Sequence, residues 1–403
     1  MKKICCFLLA LTAVVAFAQS PRIEDVDKFM SFKEPDAKGL VWYRPDTAAG
    51  SPFKLIGFYW FEQDRVFQRL PLNSGFELRD GVKYLARHTA GGQVRFRTNS
   101  KRVVLRAETS GFGIMNHMPQ TGSGGFDLYV GDGTFQTFWR TTTYPVNEKK
   151  IEFQIFAEGD GVTMHDFTLN FPLYNGVESL ELGVDADATF EAPLAFADDR
   201  PIVIYGTSVT QGGCASRPGA LFTNILSRRL NRPFLNLGFS GNGIGEPELA
   251  HIINKIENPS LIILDYEGNA TVDMDTTLTP FMEILRQHDP EVPILIITRI
   301  RFADEARFAT DTRADERTGN AVIRFQHQLN EYKKWLARGD KNIYFIDGGE
   351  LLGDGYAECT VDGIHPTDMG FFRMADYLEP RLRDILAKGR NKSKFTGWEQ
   401  TPR

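Results

Sequence analysis

The pattern of apolar residues changes near residues 192–201, and this change constrains the fold more than any other feature. Before it, residues 21–195 form short, often alternating segments such as QVRFRTN and KRVVLRAETS, separated by glycine-rich turn signals. After it, compact apolar runs such as PIVIYG and SLIILDYEG alternate with helical segments such as LFTNILSRRL. The first pattern predicts a β-sandwich or jelly roll. The second predicts a three-layer α/β domain with a mostly parallel sheet.

The first 18 residues have the composition of a secretory signal peptide. A basic start, MKK, precedes the apolar run ICCFLLALTAVV, and Ala16-Phe17-Ala18 fits a cleavage site. A lipoprotein signal would need a cysteine at the end of the apolar run, whereas Cys5 and Cys6 lie at its start. We therefore expect a signal peptide at 1–18, a β-sandwich at 19–195, an α/β domain at 200–390 and a basic tail at 391–403. Such a protein would be exported to the periplasm or the exterior.

The charge balance excludes one class of partner. The chain has a formal net charge of -6, and the loss of Lys2 and Lys3 with the signal would make it more acidic. A nucleic-acid-binding domain would instead be basic, with its charge clustered on one surface. No later segment has 18 uninterrupted apolar residues, so no membrane span is expected. The oligomeric state stays open.

Polar residues follow four of the predicted strands of the α/β domain, where ligands bind in such sheets. A serine hydroxyl becomes a nucleophile when a base accepts its proton, and histidine is the side chain best suited to that role near neutral pH. A carboxylate then orients the histidine, and N–H groups must hold the oxyanion. Alone, Ser208 could be a turn or N-cap serine, and His365 a loop histidine. The four polar stretches are 206–208, 238–243, 267–269 and 362–366.

In these stretches the chain resembles the SGNH hydrolases, also called GDSL-type esterases. The four blocks of that family occur in family order over about 160 residues. The resemblance implies a flavodoxin-like α/β fold and a serine esterase that works through an acyl-enzyme. It implies a triad of Ser208, Asp362 and His365. It also implies an oxyanion hole formed by Ser208, Gly241 and Asn269.

The chain departs from the family pattern at three positions. Thr207 replaces the usual aspartate of the first block, and Glu267 and Ala270 replace residues of the third. None of these is an obligatory catalytic position in the family, so the departures bear on the subfamily rather than on activity.

The segment 125–129, GFDLY, is similar to the GxDLY segment of a β domain that precedes certain bacterial SGNH hydrolases. We expect Asp127 and Tyr129 to be structural elements of the sandwich. A jelly roll joined to an SGNH domain also occurs among carbohydrate O-acetyl esterases. The resemblance thus implies hydrolysis of O-acyl, and in particular O-acetyl, esters on carbohydrates. Two alternatives stay open: a lipid or small-ester acylhydrolase or acyltransferase with the same triad, and a non-catalytic glycan-binding protein.

Four further residues are candidates at the same face. Arg299 either binds an anionic group of the substrate or pairs with an acid, and Glu267 is a second candidate for substrate binding. Cys214 and Cys359 lie close in sequence to Ser208 and Asp362. If the two loops meet, we expect a disulfide between them, with two buried free thiols as the alternative.

The sequence indicates no metal and no cofactor. No pair of histidines has the close spacing of a zinc site. The glycines of GNGIG, residues 241–245, lack the offset of a dinucleotide loop. No role is assigned to the six remaining histidines, which are His88, His117, His165, His251, His288 and His327.

Overall fold

The computed structural model describes residues 34–45, 51–307 and 314–390. The predicted signal peptide and basic tail lie outside these ranges. Within them, no helix combines the length and the apolar character that a membrane crossing requires.

The N-terminal half is an antiparallel β-sandwich. One sheet has the strand order β1-β9-β4-β7, and the other has the order β10-β3-β8-β5-β6, with β2 pairing with β3. The strands are β1 (Leu40–Tyr43), β2 (Phe53–Ile56), β3 (Gln93–Thr98), β4 (Val103–Thr109), β5 (Asp127–Asp132), β6 (Phe135–Thr141), β7 (Lys150–Phe156), β8 (His165–Asn170), β9 (Val177–Asp185) and β10 (Phe190–Glu191).

Alternation along the strands builds the core of this sandwich. In β4, Leu105 and Ala107 are buried while Arg106 and Glu108 face outward, as a two-residue period requires. The two sheets meet through aromatic side chains, since the rings of Phe156 on β7 and Phe167 on β8 lie edge to face, 4.9 Å apart. The prediction of a β-sandwich in this half is confirmed.

Among the described residues, three short helices interrupt the N-terminal half, where the sequence shows no helical period. Helices of one or two turns are too short to display one. The second of them packs against the α/β half, because its Val82, Leu85 and Ala86 join the same apolar cluster as Val203 and Tyr205. The helices are α1 (Phe61–Asp64), α2 (Asp80–Ala86) and α3 (Gln120–Ser123).

The C-terminal half is the predicted three-layer α/β domain. Its parallel sheet has the order β12-β11-β13-β14-β15, which is the flavodoxin-like order 2-1-3-4-5. Alternate residues of the interior strand β11 enter two different apolar clusters, Ile202 and Ile204 on one face and Val203 and Tyr205 on the other. Helices therefore cover both faces, which explains the uninterrupted apolar runs.

The elements of this half follow one another along the chain as alternating strands and helices. The strands are β11 (Ile202–Gly206), β12 (Phe234–Gly238), β13 (Leu261–Asp265), β14 (Ile294–Ile297) and β15 (Ile343–Ile346). The helices are α4 (Ser208–Gln211), α5 (Phe222–Leu230), α6 (Pro247–Ile253), α7 (Asp275–His288), α8 (Asp304–Arg307), α9 (Ala314–Ala337) and α10 (Asp368–Arg390).

The GFDLY segment joins the two halves. Asp127 is fully buried and accepts hydrogen bonds from the Gly219 N–H (2.8 Å) and from Arg217 (3.0 Å), both of the α/β half. Tyr129 donates to the Gly219 carbonyl at 3.3 Å, and the Arg228 guanidinium stacks on its ring at 3.8 Å. These two residues are therefore structural, but they fasten the sandwich to its neighbour rather than stabilising the sandwich alone.

Candidate active site

The nucleophile candidate lies where the interior strand β11 ends. β11 ends at Gly206, Thr207 precedes the first turn of α4, and Ser208 is its first residue. Only 7% of Ser208 is exposed. Its Oγ lies 2.9 Å from His365 Nε2, which is hydrogen-bonding distance. The serine and the histidine, 157 residues apart, thus meet, although His365 does not directly follow a strand as expected but lies in the loop before α10.

The loop that carries the histidine curls back on itself. Asp362 Oδ1 accepts the N–H groups of Ile364 (3.0 Å) and His365 (2.8 Å), and Asp362 Oδ2 lies 2.7 Å from His365 Nδ1. Gly363 permits this turn because its φ of 90° is in the left-handed region. The short spacing from Asp362 to His365 therefore suffices for a carboxylate–imidazole pair.

Hydrogen bonds keep the Asp362 carboxylate charged. Partial burial acts to raise its pKa. The bonds from the backbone N–H and ring of His365 and from the Ile364 N–H outweigh burial and lower the pKa to about 2. At neutral pH the group is therefore an anion that orients the imidazole and stabilises its protonated form.

The predicted oxyanion donors lie around the same cavity. Gly241 follows β12 with a φ of 66°, and a side-chain Cβ there would meet no atom within 4 Å, so the glycine is needed for its conformation. Asn269 lies in the 3₁₀ turn after β13, and its buried Oδ1 has no hydrogen-bond partner among the described residues. This oxygen is an acceptor, so it is open to a hydroxyl of a bound substrate, whereas the oxyanion role predicted for Asn269 would use its Nδ2.

The cavity has a volume of about 300 Å³, and its wall contains all the residues of the predicted triad and oxyanion hole except Asp362. It is lined by Thr207, Ser208, Val209, Ser240, Gly241, Asp265, Gly268, Asn269, Arg299, Ile300, Phe302, Ile364 and His365. A larger pocket of about 490 Å³ lies between the β5–β6 turn and the last helix and contains none of these residues.

Asp265 is a residue of this cavity that the sequence analysis missed. It is the last residue of β13, and its Oδ2 accepts a 2.7 Å hydrogen bond from Thr210 Oγ1 in α4. Burial raises the pKa of Asp265 to about 7, with Glu267 adding to the rise and Thr210 opposing it. The sequence feature that could have identified Asp265 is an aspartate at the end of an apolar strand.

Arg299 and Glu267 have different positions. Arg299 lines the cavity, and its guanidinium bonds to Glu305 at 2.5 Å. Glu267 is only 2% exposed and does not line the cavity. Its carboxylate accepts the Arg299 N–H (2.9 Å) and the Gln328 side chain (2.8 Å). The prediction that Glu267 contacts substrate is therefore wrong, since this carboxylate is used to hold the strand end that carries Arg299.

The two cysteines are free thiols, so the predicted disulfide is also wrong. The loops do meet, because the Cys214 N–H donates to the Pro366 carbonyl at 3.1 Å. However, the Cys359 thiol points to the Gly355 carbonyl, while the Cys214 sulfur lies near His117 and His365. Burial raises the pKa of the Cys214 thiol to about 12, helped by Asp362, and this keeps the thiol protonated.

Residues of the β half hold the catalytic loops. Tyr174 OH donates to the Ser208 carbonyl at 3.2 Å. Gln211 at the end of α4 donates to the Leu173 carbonyl (3.2 Å) and accepts the Ser240 N–H (2.9 Å), so it connects the nucleophile turn to the oxyanion loop. These contacts were not predicted, because the residues carry no motif.

A buried arginine of the β half supports the strand before the oxyanion loop. Arg69, 1% exposed, donates to the carbonyls of His88 and Leu85 and to those of Asn236 and Gly238 on β12. Burial lowers the pKa of Arg69 to about 9, so the guanidinium stays charged at neutral pH. Burial, with the Arg69 charge adding to it, lowers the pKa of His88 to about 3, which keeps that ring neutral.

The fold and this arrangement of side chains define a class of protein, namely α/β proteins with a serine–histidine–aspartate site at the carboxyl end of the sheet. Residues 199–383 match the family described as GDSL-like lipase/acylhydrolase, and residues 40–190 match the N-terminal domain of SGNH-hydrolase-type esterases. The chain therefore belongs to the SGNH hydrolases, in the form with a GxDLY domain before the catalytic domain.

Solved structures share this architecture. A protein of Bacteroides ovatus ATCC 8483 described as a GDSL-like lipase is 28% identical, with a TM-score of 0.77 over 86% of this chain and 98% of that one. A salicylyl-acyltransferase from a tetracycline biosynthetic pathway is 19% identical, with a TM-score of 0.67 over 87% and 98%. An acetyl xylan esterase from the rumen bacterium Butyrivibrio proteoclasticus is 13% identical, with a TM-score of 0.54 over 86% and 100%. At these lower identities the likeness is one of fold. No curated protein matches the sequence.

Proposed function

We propose that the protein is an exported serine esterase that removes O-acyl groups, chiefly O-acetyl groups, from carbohydrates. One observation carries the proposal. Asp362, His365 and Ser208 form a continuous hydrogen-bonded chain that opens into a cavity with two further oxyanion donors in its wall. This is the arrangement that acyl transfer from an ester requires.

The reaction follows from the positions of the groups. His365 Nε2 takes the hydroxyl proton of Ser208 while Oγ attacks the ester carbonyl. The N–H groups of Ser208, Gly241 and Asn269 hold the resulting oxyanion. Collapse breaks the bond to the alcohol, which leaves with the proton from His365. A water molecule then gives a proton to His365 and attacks the acyl-enzyme, and the acid leaves as Ser208 regains its proton.

The size and polarity of the cavity support a short acyl chain on a polar alcohol. A volume of about 300 Å³ lies at the lower end of the range for small-molecule sites. Arg299 and Asp265 place hydrogen-bonding groups in its wall, beside Phe302 and Ile300. Carbohydrate esterases with the same fold, and a signal peptide predicted from residues 1–18, favour an acetylated glycan outside the cytoplasm.

The decisive experiment measures acetate release from acetylated xylan and hydrolysis of p-nitrophenyl acetate. The wild-type chain is compared with Ser208→Ala and with Ser179→Ala, a control at an exposed position of β9. We expect Ser208→Ala to lower kcat by about 10⁴-fold or more and Ser179→Ala to leave it unchanged. The proposal fails if the wild-type protein hydrolyses neither substrate, or if Ser208→Ala keeps the full rate.

A series of acyl chain lengths and acceptors separates the alternatives. We expect the rate to fall from p-nitrophenyl acetate to the octanoate, because the cavity is small. A preference for octanoate would identify a lipid acylhydrolase. Transfer of the acyl group to an added alcohol in preference to water would identify an acyltransferase. Binding of glycan without any turnover would identify a lectin-like protein.

A further inference from the structure

Three side chains that bind transition metals meet at the edge of the active site. His117, Cys214 and His365 each offer one ligand atom, and these atoms lie within 4.8 Å of one another. The rings of His117 and His365 lie edge to face, with centroids 5.7 Å apart. His117 comes from a loop of the β half, Cys214 from the segment after α4 and His365 from the triad loop. Folding, rather than sequence spacing, therefore forms this cluster.

We propose that His117, Cys214 and His365 form a binding site for a thiophilic divalent metal such as Zn²⁺, and that the bound metal inhibits the enzyme. The site goes beyond the proposed esterase activity, which requires no metal.

The ligand set suits zinc. Two imidazoles and one thiolate are common zinc ligands, and a three-ligand site leaves a fourth position for water. With Zn–N near 2.1 Å and Zn–S near 2.3 Å, tetrahedral ligand atoms lie about 3.4–3.7 Å apart. The three ligand atoms lie up to 4.8 Å apart here, so they must move about 1 Å closer together to bind one metal ion. His117 can supply that movement, because it is only partly buried and lies in a loop.

A neighbouring hydrogen bond prepares His117 as a ligand. His117 Nδ1 lies 2.9 Å from Asn116 Oδ1, and a carbonyl oxygen can only accept, so Nδ1 carries the proton. In the neutral ring, this tautomer leaves the lone pair of Nε2 to bind a metal. A hydrogen bond to the second ring nitrogen is the usual support of a metal-binding histidine. Cys214 would release its proton to solvent on binding, with no change of oxidation state.

Inhibition follows from the contacts of His365. Its Nε2 lies 2.9 Å from Ser208 Oγ and its Nδ1 lies 2.7 Å from Asp362 Oδ2. Both ring nitrogens are thus used in the triad. A metal on Nε2 removes the base from Ser208, and a metal on Nδ1 removes the carboxylate from the base. In either case one hydrogen bond of the triad is lost, so the enzyme cannot catalyse the reaction while a metal ion is bound to His365.

The test uses Co²⁺ as a spectroscopic probe and Zn²⁺ as an inhibitor of chelator-treated protein. Wild type is compared with His117→Ala and Cys214→Ala. The matched controls are His288→Ala, at an exposed helix end, and Cys359→Ala. Each rate of p-nitrophenyl acetate hydrolysis is divided by the metal-free rate of the same variant, so differences in basal activity do not matter.

We expect Zn²⁺ to inhibit the wild type and both controls. His117→Ala and Cys214→Ala should need about 10- to 100-fold more Zn²⁺ for half inhibition. Co²⁺ should give a thiolate charge-transfer band in the wild type that Cys214→Ala lacks. Equal inhibition of all variants, or no cobalt band at saturating Co²⁺, would overturn the proposal. The cobalt band needs no substrate, so it tests the site even if the protein shows no esterase activity.

Discussion

The two halves of the molecule contribute to one site in different ways. The α/β half supplies every residue of the proposed triad and oxyanion hole. Ser208, Gly241 and Asn269 follow strands of the parallel sheet, and Asp362 and His365 lie in the loop before the last helix. The β half supplies groups such as Tyr174 and Arg69, which hold those loops by hydrogen bonds to backbone carbonyls. Reacting groups need a particular side chain. Supporting groups need only a donor at the right place, which is why they carry no recognisable motif.

The N-terminal half therefore contributes to the structure of the α/β half. Its α2 helix packs into the core beneath the sheet of the α/β half, and Asp127 binds the segment that leads into α5. The edge strand β12, which precedes Gly241, accepts two hydrogen bonds from Arg69 of the other half. We therefore expect the α/β half to depend on the β half for its catalytic geometry, and the β half to tolerate loss of the triad.

The largest expected effect is on catalysis and comes from the α/β half. Asp362→Asn should lower kcat by about 10³- to 10⁴-fold, because the amide no longer stabilises the imidazolium and favours the wrong tautomer of His365. Thermal unfolding should change little, since Asp362 is about one-third exposed. Steady-state kinetics and melting curves measure both effects, with the exposed Asp354→Asn as control. A variant with more than a tenth of wild-type kcat would remove Asp362 from the triad.

The next effect is on stability and comes from the β half. Arg69→Met removes a buried guanidinium and leaves the carbonyls of Asn236, Gly238, Leu85 and His88 without their donor. We expect the free energy of unfolding in urea to fall by about 3–5 kcal/mol, since unpaired buried polar groups are costly. The remaining folded protein should have a lower kcat, because β12 leads into the oxyanion loop. Arg87→Met, at an exposed position, is the control. An unchanged stability would show that the α/β half does not need this support.

The sequence predicted the parts of the molecule that are encoded locally. Ser208, Asp362 and His365 could be predicted because their residue types match the blocks of a known family in order. Only Ser208 lies directly after a strand, since Asp362 and His365 lie in the loop before α10. The two fold classes could be assigned because apolar periodicity follows from which face is buried. By contrast, a two-turn helix such as α2 has no measurable period. The direction in which a side chain points within a loop depends on packing across the whole molecule. This is why Glu267 was wrongly expected to contact substrate.

The cysteines and His117 illustrate the same limit. Proximity of the Cys214 and Cys359 loops was inferred correctly from the Ser208–His365 pair, and their backbones do meet. A disulfide also requires the two Cβ–S vectors to face each other, and here the sulfurs turn to different partners. His117 lies far from the triad in sequence, so only the packing of the two halves reveals that it contacts His365.

The smallest expected effect is on the pH dependence of stability and concerns Asp265. This residue lies in the cavity of the α/β half, but, like Tyr174 and Arg69 of the β half, it belongs to no sequence motif. Its carboxyl has a pKa of about 7 in the folded chain, chiefly because of burial, against about 3.9 for an unfolded aspartate. Between these values the folded state binds the extra proton, so the free energy of unfolding falls as pH rises from 4 to 7 and then levels off. The full shift corresponds to about 4 kcal/mol, and exposure of Asp265 to the cavity reduces this to about 2–3 kcal/mol.

Asp265→Asn isolates this contribution. Its amide oxygen can still accept the hydrogen bond from Thr210 but has no charge to bury. We expect the difference in unfolding free energy, variant minus wild type, to rise by about 2–3 kcal/mol from pH 4 to pH 7 and to stay constant above pH 8. Urea denaturation at each pH measures it, with the exposed Asp132→Asn as control. A difference independent of pH would mean that Asp265 is charged throughout, and the strand end would then carry a second anion beside Ser208 rather than a neutral donor for substrate hydroxyls.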